Sequence, residues 1–97
     1  MNPANLQLEG MYAAVAALMN ALRDKGVLST QDLDEALNAA EQKITSDPVR
    51  RTKLSDSNRE AICFPLRYLR LANRTSSEGR ELSFSELATL VGQTKQD

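Results

Sequence analysis

Histidine and tryptophan are absent from this 97-residue chain, and there is one cysteine, with four glycines and three prolines. Without histidine there is no imidazole acid–base chemistry and no Cys/His zinc site. The lone Cys63 excludes an intramolecular disulfide and fits a reducing compartment. So few Gly and Pro leave few turn signals, which favours a few long elements over many short strands. Aromatics are only 4% of the chain (Tyr12, Phe64, Tyr68, Phe84), so aliphatic side chains must fill most of the interior. There is also no glycine-rich phosphate loop, no Gly-x-Ser-x-Gly elbow and no Asp-rich calcium loop. No catalytic residue, metal, cofactor or small-molecule substrate is therefore expected.

What is present suffices for one domain, residues 1–97, with 41% hydrophobic content. A chain of this size buries roughly 60–70% of its unfolded surface. The most apolar run, GMYAAVAALMNAL (Gly10 to Leu22), is too short to span a bilayer. Only Glu9 carries charge before it, so the basic leader of a signal peptide is missing. A soluble, cytoplasmic protein is expected. The net charge of −1 is unevenly spread: residues 1–42 carry net −4, residues 43–80 net +5, and residues 81–97 net −2.

Periodicity and capping signals predict an all-α fold, a small bundle of four main helices. The first runs from Leu6 to Lys25 and stops at Gly26, suited to a left-handed C-terminal cap. Met11, Val15, Leu18 and Leu22 share one face, while Ala13, Ala16, Ala17 and Asn20 share another. A helix apolar all round is central in a bundle or buried against another subunit. That second possibility makes Ala13, Ala16, Ala17 and Asn20 the candidate self-association surface, with a homodimer as the outcome. The second helix begins after Ser29, with Asp32 completing a capping box and Leu33, Leu37, Ala40 and Ile44 as its buried stripe. The short Gly-Val-Leu-Ser connection makes helices one and two a hairpin. Asp47-Pro48 can open a short fifth helix over 48–53. Ser57 with Glu60 reads as the cap of the third long helix, to about Arg74, which Pro65 should kink or restart. Ser83 with Glu86 caps the fourth, and Gly92 closes it.

The third helix carries the candidate binding strip. Arg59, Cys63, Arg67, Arg70 and Arg74 fall on one narrow face. Guanidinium groups there would suit phosphates or carboxylates, so anion or nucleic-acid binding is a possible role. The competing reading is a solvated edge whose arginines pair with Asp34 and Glu41 of the second helix. Cations beside Cys63 would favour thiolate, but with no histidine or resolving cysteine the expected reading is an inert small hydrophobe.

Glu86-Leu87-Ala88-Thr89-Leu90-Val91-Gly92-Gln93-Thr94 resembles the first helix and turn of helix-turn-helix regulators. The resemblance implies that Ala88 lets two helices pack closely and that Gly92 takes the positive φ of the turn. A second, groove-reading helix would then follow Thr94. Only Lys95, Gln96 and Asp97 remain there, so a capped helix with a polar tail is expected instead.

The leading expectation is a small cytoplasmic protein–protein interaction or self-associating module without catalytic activity. The alternative is a nucleic-acid-binding or regulatory accessory protein using Arg59, Arg67, Arg70 and Arg74.

Overall fold

The computed structural model of the protein describes residues 3–48 and 55–95. Four long helices make up the fold: α1 (Pro3–Asp24), α2 (Thr30–Ser46), α3 (Asp56–Ser77) and α4 (Phe84–Lys95). No strand occurs among the described residues. The short helix expected over 48–53 lies almost wholly outside them.

The helix starts follow local chemistry. Ser29 Oγ accepts from the Asp32 amide at 2.9 Å, and Asp32 Oδ2 accepts from the Ser29 amide at 3.0 Å. The same reciprocal pair forms between Ser83 and Glu86, at 3.1 and 3.0 Å. Each box satisfies amide donors that the first helical turn leaves without partners. At α3 the expectation is corrected: the cap is Ser55, not Ser57, and its hydroxyl accepts from the Asn58 amide at 3.2 Å. Two serines stand two residues apart, and the helix starts at the earlier one.

The ends of α1 and α3 are alike. Gly26 (φ +73°) and Gly79 (φ +77°) adopt left-handed conformations that L side chains rarely tolerate. Around Gly26, the amides of Gly26 and Val27 donate to the Arg23 and Leu22 carbonyls, both at 3.0 Å. Around Gly79, the amides of Gly79 and Arg80 donate to Ser76 and Thr75 at 3.0 and 2.8 Å. This is the Schellman closure, which turns the chain sharply and satisfies the last carbonyls. It carries α3 one turn beyond the expected Arg74. Of the two outcomes expected at Pro65 the restart does not occur, since α3 continues through it. The stop expected at Gly92 is corrected: α4 runs through it to Lys95.

The sheet-free core is organised around α3, against which α1, α2 and α4 each pack. The tight Gly26 turn joins α1 to α2, yet both rest chiefly on α3 and less on one another. Met19, Leu33, Tyr68, Leu69, Leu87 and Val91 form the buried cluster, drawn from all four helices. All four aromatic residues of the chain meet within it. Tyr12 stacks on Tyr68 and on Phe84, with ring centroids 4.9 and 5.7 Å apart, and Phe64 lies 6.5 Å from both tyrosines. Burial raises the hydroxyl pKa of Tyr12 and of Tyr68, and the Tyr68 hydroxyl also feels Glu9.

Candidate interaction surface

The rotation of α1 follows from Tyr12. Seating that ring on Tyr68 and Phe84 turns Tyr12, Val15, Ala16, Met19 and Leu22 toward the core. At 100° per residue, this leaves Gly10, Ala13, Ala14, Ala17, Leu18 and Ala21 outward, and all of them are exposed. Met11 and Leu18, which share one helical face with the half-buried Val15 and Leu22, are 61% and 65% exposed. Leu6 and Leu8 are exposed at the start of the helix. No charged side chain interrupts this face between Glu9 and Arg23.

The four residues expected to self-associate are divided by this rotation. Ala13 and Ala17 stand outward. Ala16 packs against the core, and Asn20 turns into the chain.

Asn20 belongs to a polar network that sequence reasoning missed. Arg23 donates to Asn73 Oδ1 at 2.7 Å, to Asn20 Oδ1 at 2.6 Å and to Ser76 Oγ at 3.0 Å. The Ser76 hydroxyl donates to Asn20 Oδ1 at 3.1 Å, and Asn73 Nδ2 donates to the Thr30 carbonyl at 2.9 Å. Asn73 is only 2% exposed, so these bonds replace water it has lost. The network joins α1, the first turn of α2 and α3. Its sequence signal was the spacing of Asn20 with Arg23 and of Asn73 with Ser76, each three residues apart on an otherwise apolar helix side.

The arginine strip of α3 faces the carboxylates of α2. Arg67 Nε lies 3.0 Å from Glu41 Oε2, and Arg67 Nη1 lies 3.7 Å from Glu60 Oε2. Arg70 closes on Asp34 with two hydrogen bonds and donates to Asn38 Oδ1 at 3.2 Å. The hydrogen bond from Arg70, helped by the charges of Arg70 and Arg74, holds the Asp34 carboxyl below its ordinary pKa. Arg59 is half-buried at the start of α3. Arg74 is exposed, and its side chain makes no hydrogen bond or ion pair among the described residues. Arg67, Arg70, Arg74 and Arg80 line a groove of about 770 Å³ together with the carboxylates of Asp34, Glu41 and Glu60.

Cys63 is 1% exposed, and burial, then the Glu41 charge, pushes its thiol pKa up against the opposing pull of Arg67 and Arg59. The turn implied at Gly92 is not made: among the described residues only Gly26 and Gly79 have positive φ. Thr94, where a reading helix would begin, is still inside α4.

No protein-family model, curated protein or solved structure matches the chain significantly. The functional reading therefore rests on the geometry above.

Proposed function

We propose that this chain is a small, non-catalytic, cytoplasmic interaction module that docks on a protein partner through the outward face of α1. The observation that carries the reading is the uncharged face from Gly10 to Leu22, edged by Met11 and Leu18. Contiguous apolar surface of this kind on a small protein marks a docking site more often than a solvated one. A lipid surface is a poorer cover, because interfacial helices carry Lys and Arg along their flanks and this one has none between Glu9 and Arg23. Among the described residues no helix is long and apolar enough to cross a membrane.

The test is a photo-crosslinking residue placed at Leu18, with a control at exposed Gln31 on α2. Discrete adducts specific to position 18 in the producing cell support the reading. Equal labelling from both positions, or none, would sink it.

A second reading, anion or nucleic-acid binding along α3, draws its support from Arg74, which lines the groove beside Arg80, itself 3.6 Å from Glu78. Arg67 and Arg70 contribute less to it, since their guanidinium groups already serve carboxylates of α2 and α3.

A further inference from the structure

We infer that the partner on this face is a second copy of the same chain, its α1 laid antiparallel against the first. The inference rests on the α1 docking reading and adds the identity and direction of the partner.

The small exposed residues Gly10, Ala14, Ala17 and Ala21 run up the middle of the face. Their 4-3-4 spacing is that of a helix–helix seam. It is also symmetric about the point between Val15 and Ala16. A two-fold axis there exchanges Gly10 with Ala21 and Ala14 with Ala17, so the seam is complementary to itself, as a two-fold interface requires. With no side chain beyond Cβ on the seam, the two helices can approach to the lower end of the usual range, about 8 Å. A Cβ added at Gly10 would meet nothing within 4 Å in the isolated chain, so the space above the seam is open.

The edge of the seam supports the same pairing. Met11 and Leu18 lie side by side on one flank of the face. The two-fold axis brings Met11 of one copy to within two residues, roughly 3 Å along the helix axis, of Leu18 of the other. That contact occurs twice and covers two of the most exposed large apolar side chains of the structure.

The helix dipoles favour the antiparallel direction. α1 has no acidic residue in its first turn to balance the positive end of its dipole. Antiparallel docking sets the negative C-terminal end of each α1 dipole beside the positive N-terminal end of the other, and carries the exposed Asp24 there together with the exposed Lys25. A parallel pair would instead bring Asp24 beside Asp24 and Lys25 beside Lys25. The net charge of −1 per chain opposes association little.

The area fixes the strength class. One-third of the circumference of a 22-residue helix on each side amounts to on the order of 900 Å² in total, the size of a weak or transient interface. The dimer should therefore be concentration-dependent.

The experiment is sedimentation equilibrium of the intact chain from about 1 μM to about 1 mM, the span in which a small interface titrates. It is combined with the double variant Ala14→Glu/Ala17→Glu and a spin label at Gln7→Cys. The expected result is a monomer–dimer equilibrium that the double variant weakens at least tenfold with its helix content unchanged. The labels should lie about 25 Å apart along the paired axes, against near contact in a parallel pair. A short distance overturns the antiparallel docking. A chain that stays monomeric while Leu18 still cross-links to a different protein overturns the second copy and spares the docking reading. A dimer indifferent to the double variant overturns the α1 pairing, because association then uses another surface, and the Leu18 cross-link alone then decides the docking reading. A monomer with no cross-link at Leu18 overturns both as well.

Discussion

Arg70 grips Asp34 with both arms of its fork, Nε at 2.8 Å from Oδ1 and Nη2 at 3.2 Å from Oδ2. The two side chains stay 34% and 43% exposed, so water screens the pair. A double-mutant cycle over Arg70→Ala and Asp34→Ala is expected to give a coupling below about 1 kcal/mol.

The same pair sets a pH dependence. The folded pKa of Asp34 lies below its ordinary value, chiefly through the Arg70 hydrogen bond. Its stabilising share is therefore present above the unfolded carboxylate range, about pH 4, and is lost as pH falls through the lower folded pKa. Asp32 and Glu86, held down by the Ser29 and Ser83 backbone amides, act in the same direction. Urea melts at stepped pH should show stability falling below about pH 4, with a shallower fall in Asp34→Asn.

The network around Asn73 is expected to matter more than the surface pair. Asn73→Ala leaves the Thr30 carbonyl and one arm of Arg23 without the partner they have lost water to meet. Such a loss costs about 1–3 kcal/mol, measurable as a shift of the denaturant midpoint. A cost no larger than that of Arg70→Ala would show that water replaces the amide freely.

Pro65 sits within an unbroken helix and has no amide to donate to the Ala61 carbonyl. Proline inside a helix costs about 3 kcal/mol. Pro65→Ala is therefore expected to raise thermal stability, at roughly 4–8 °C for each kcal/mol recovered in a domain this size. Calorimetry would check the sign.

Cys63 should react with a thiol reagent far more slowly than a free thiol at pH 8, since it is buried and its pKa is raised. The rate should recover in denaturant. Fast labelling of the folded protein would contradict the placement of this side chain.

For the second reading, Arg74 and Arg80 set the scale. Two phosphate contacts predict a log–log salt slope near −2 for duplex DNA, by about 0.9 per contact. Fluorescence anisotropy across salt would give the slope. A steeper one that vanished with Arg67→Ala would mean that the α2 carboxylates release their arginines on binding.

What the sequence showed, and what it hid, divides by range. The boxes at Ser29 and Ser83 are three-residue arrangements, and both formed as the spacing predicts. Asp34 and Glu41 were legible as partners for the α3 arginines because the opposite charges recur at matching helical intervals. The rotation of α1 was not legible. A helix apolar on every side has no pattern to tell Met11 from Tyr12, and the choice is made by Tyr68 and Phe84 far along the chain. Ser57, with Glu60 three residues on, carried the capping-box spacing, yet α3 is capped by Ser55. Gly92 looked like a stop, but a glycine inside a helix costs only about 1 kcal/mol relative to alanine. Packing of Leu87 and Val91 into the core outweighs that cost.

α1 is tied through Asn20 and Arg23 of its final turns to Asn73 and Ser76 of α3, close to the Gly26 closure. Its first two turns, Pro3 to Leu8, are exposed throughout. α1 is in effect a cantilever, with its polar clamp at one end and its most exposed turns at the other. A partner pulling on Leu6 or Leu8 would bend the exposed end away before it disturbed Arg23 or Asn73. Such a lever can adjust to what it meets while the rest of the bundle keeps its shape.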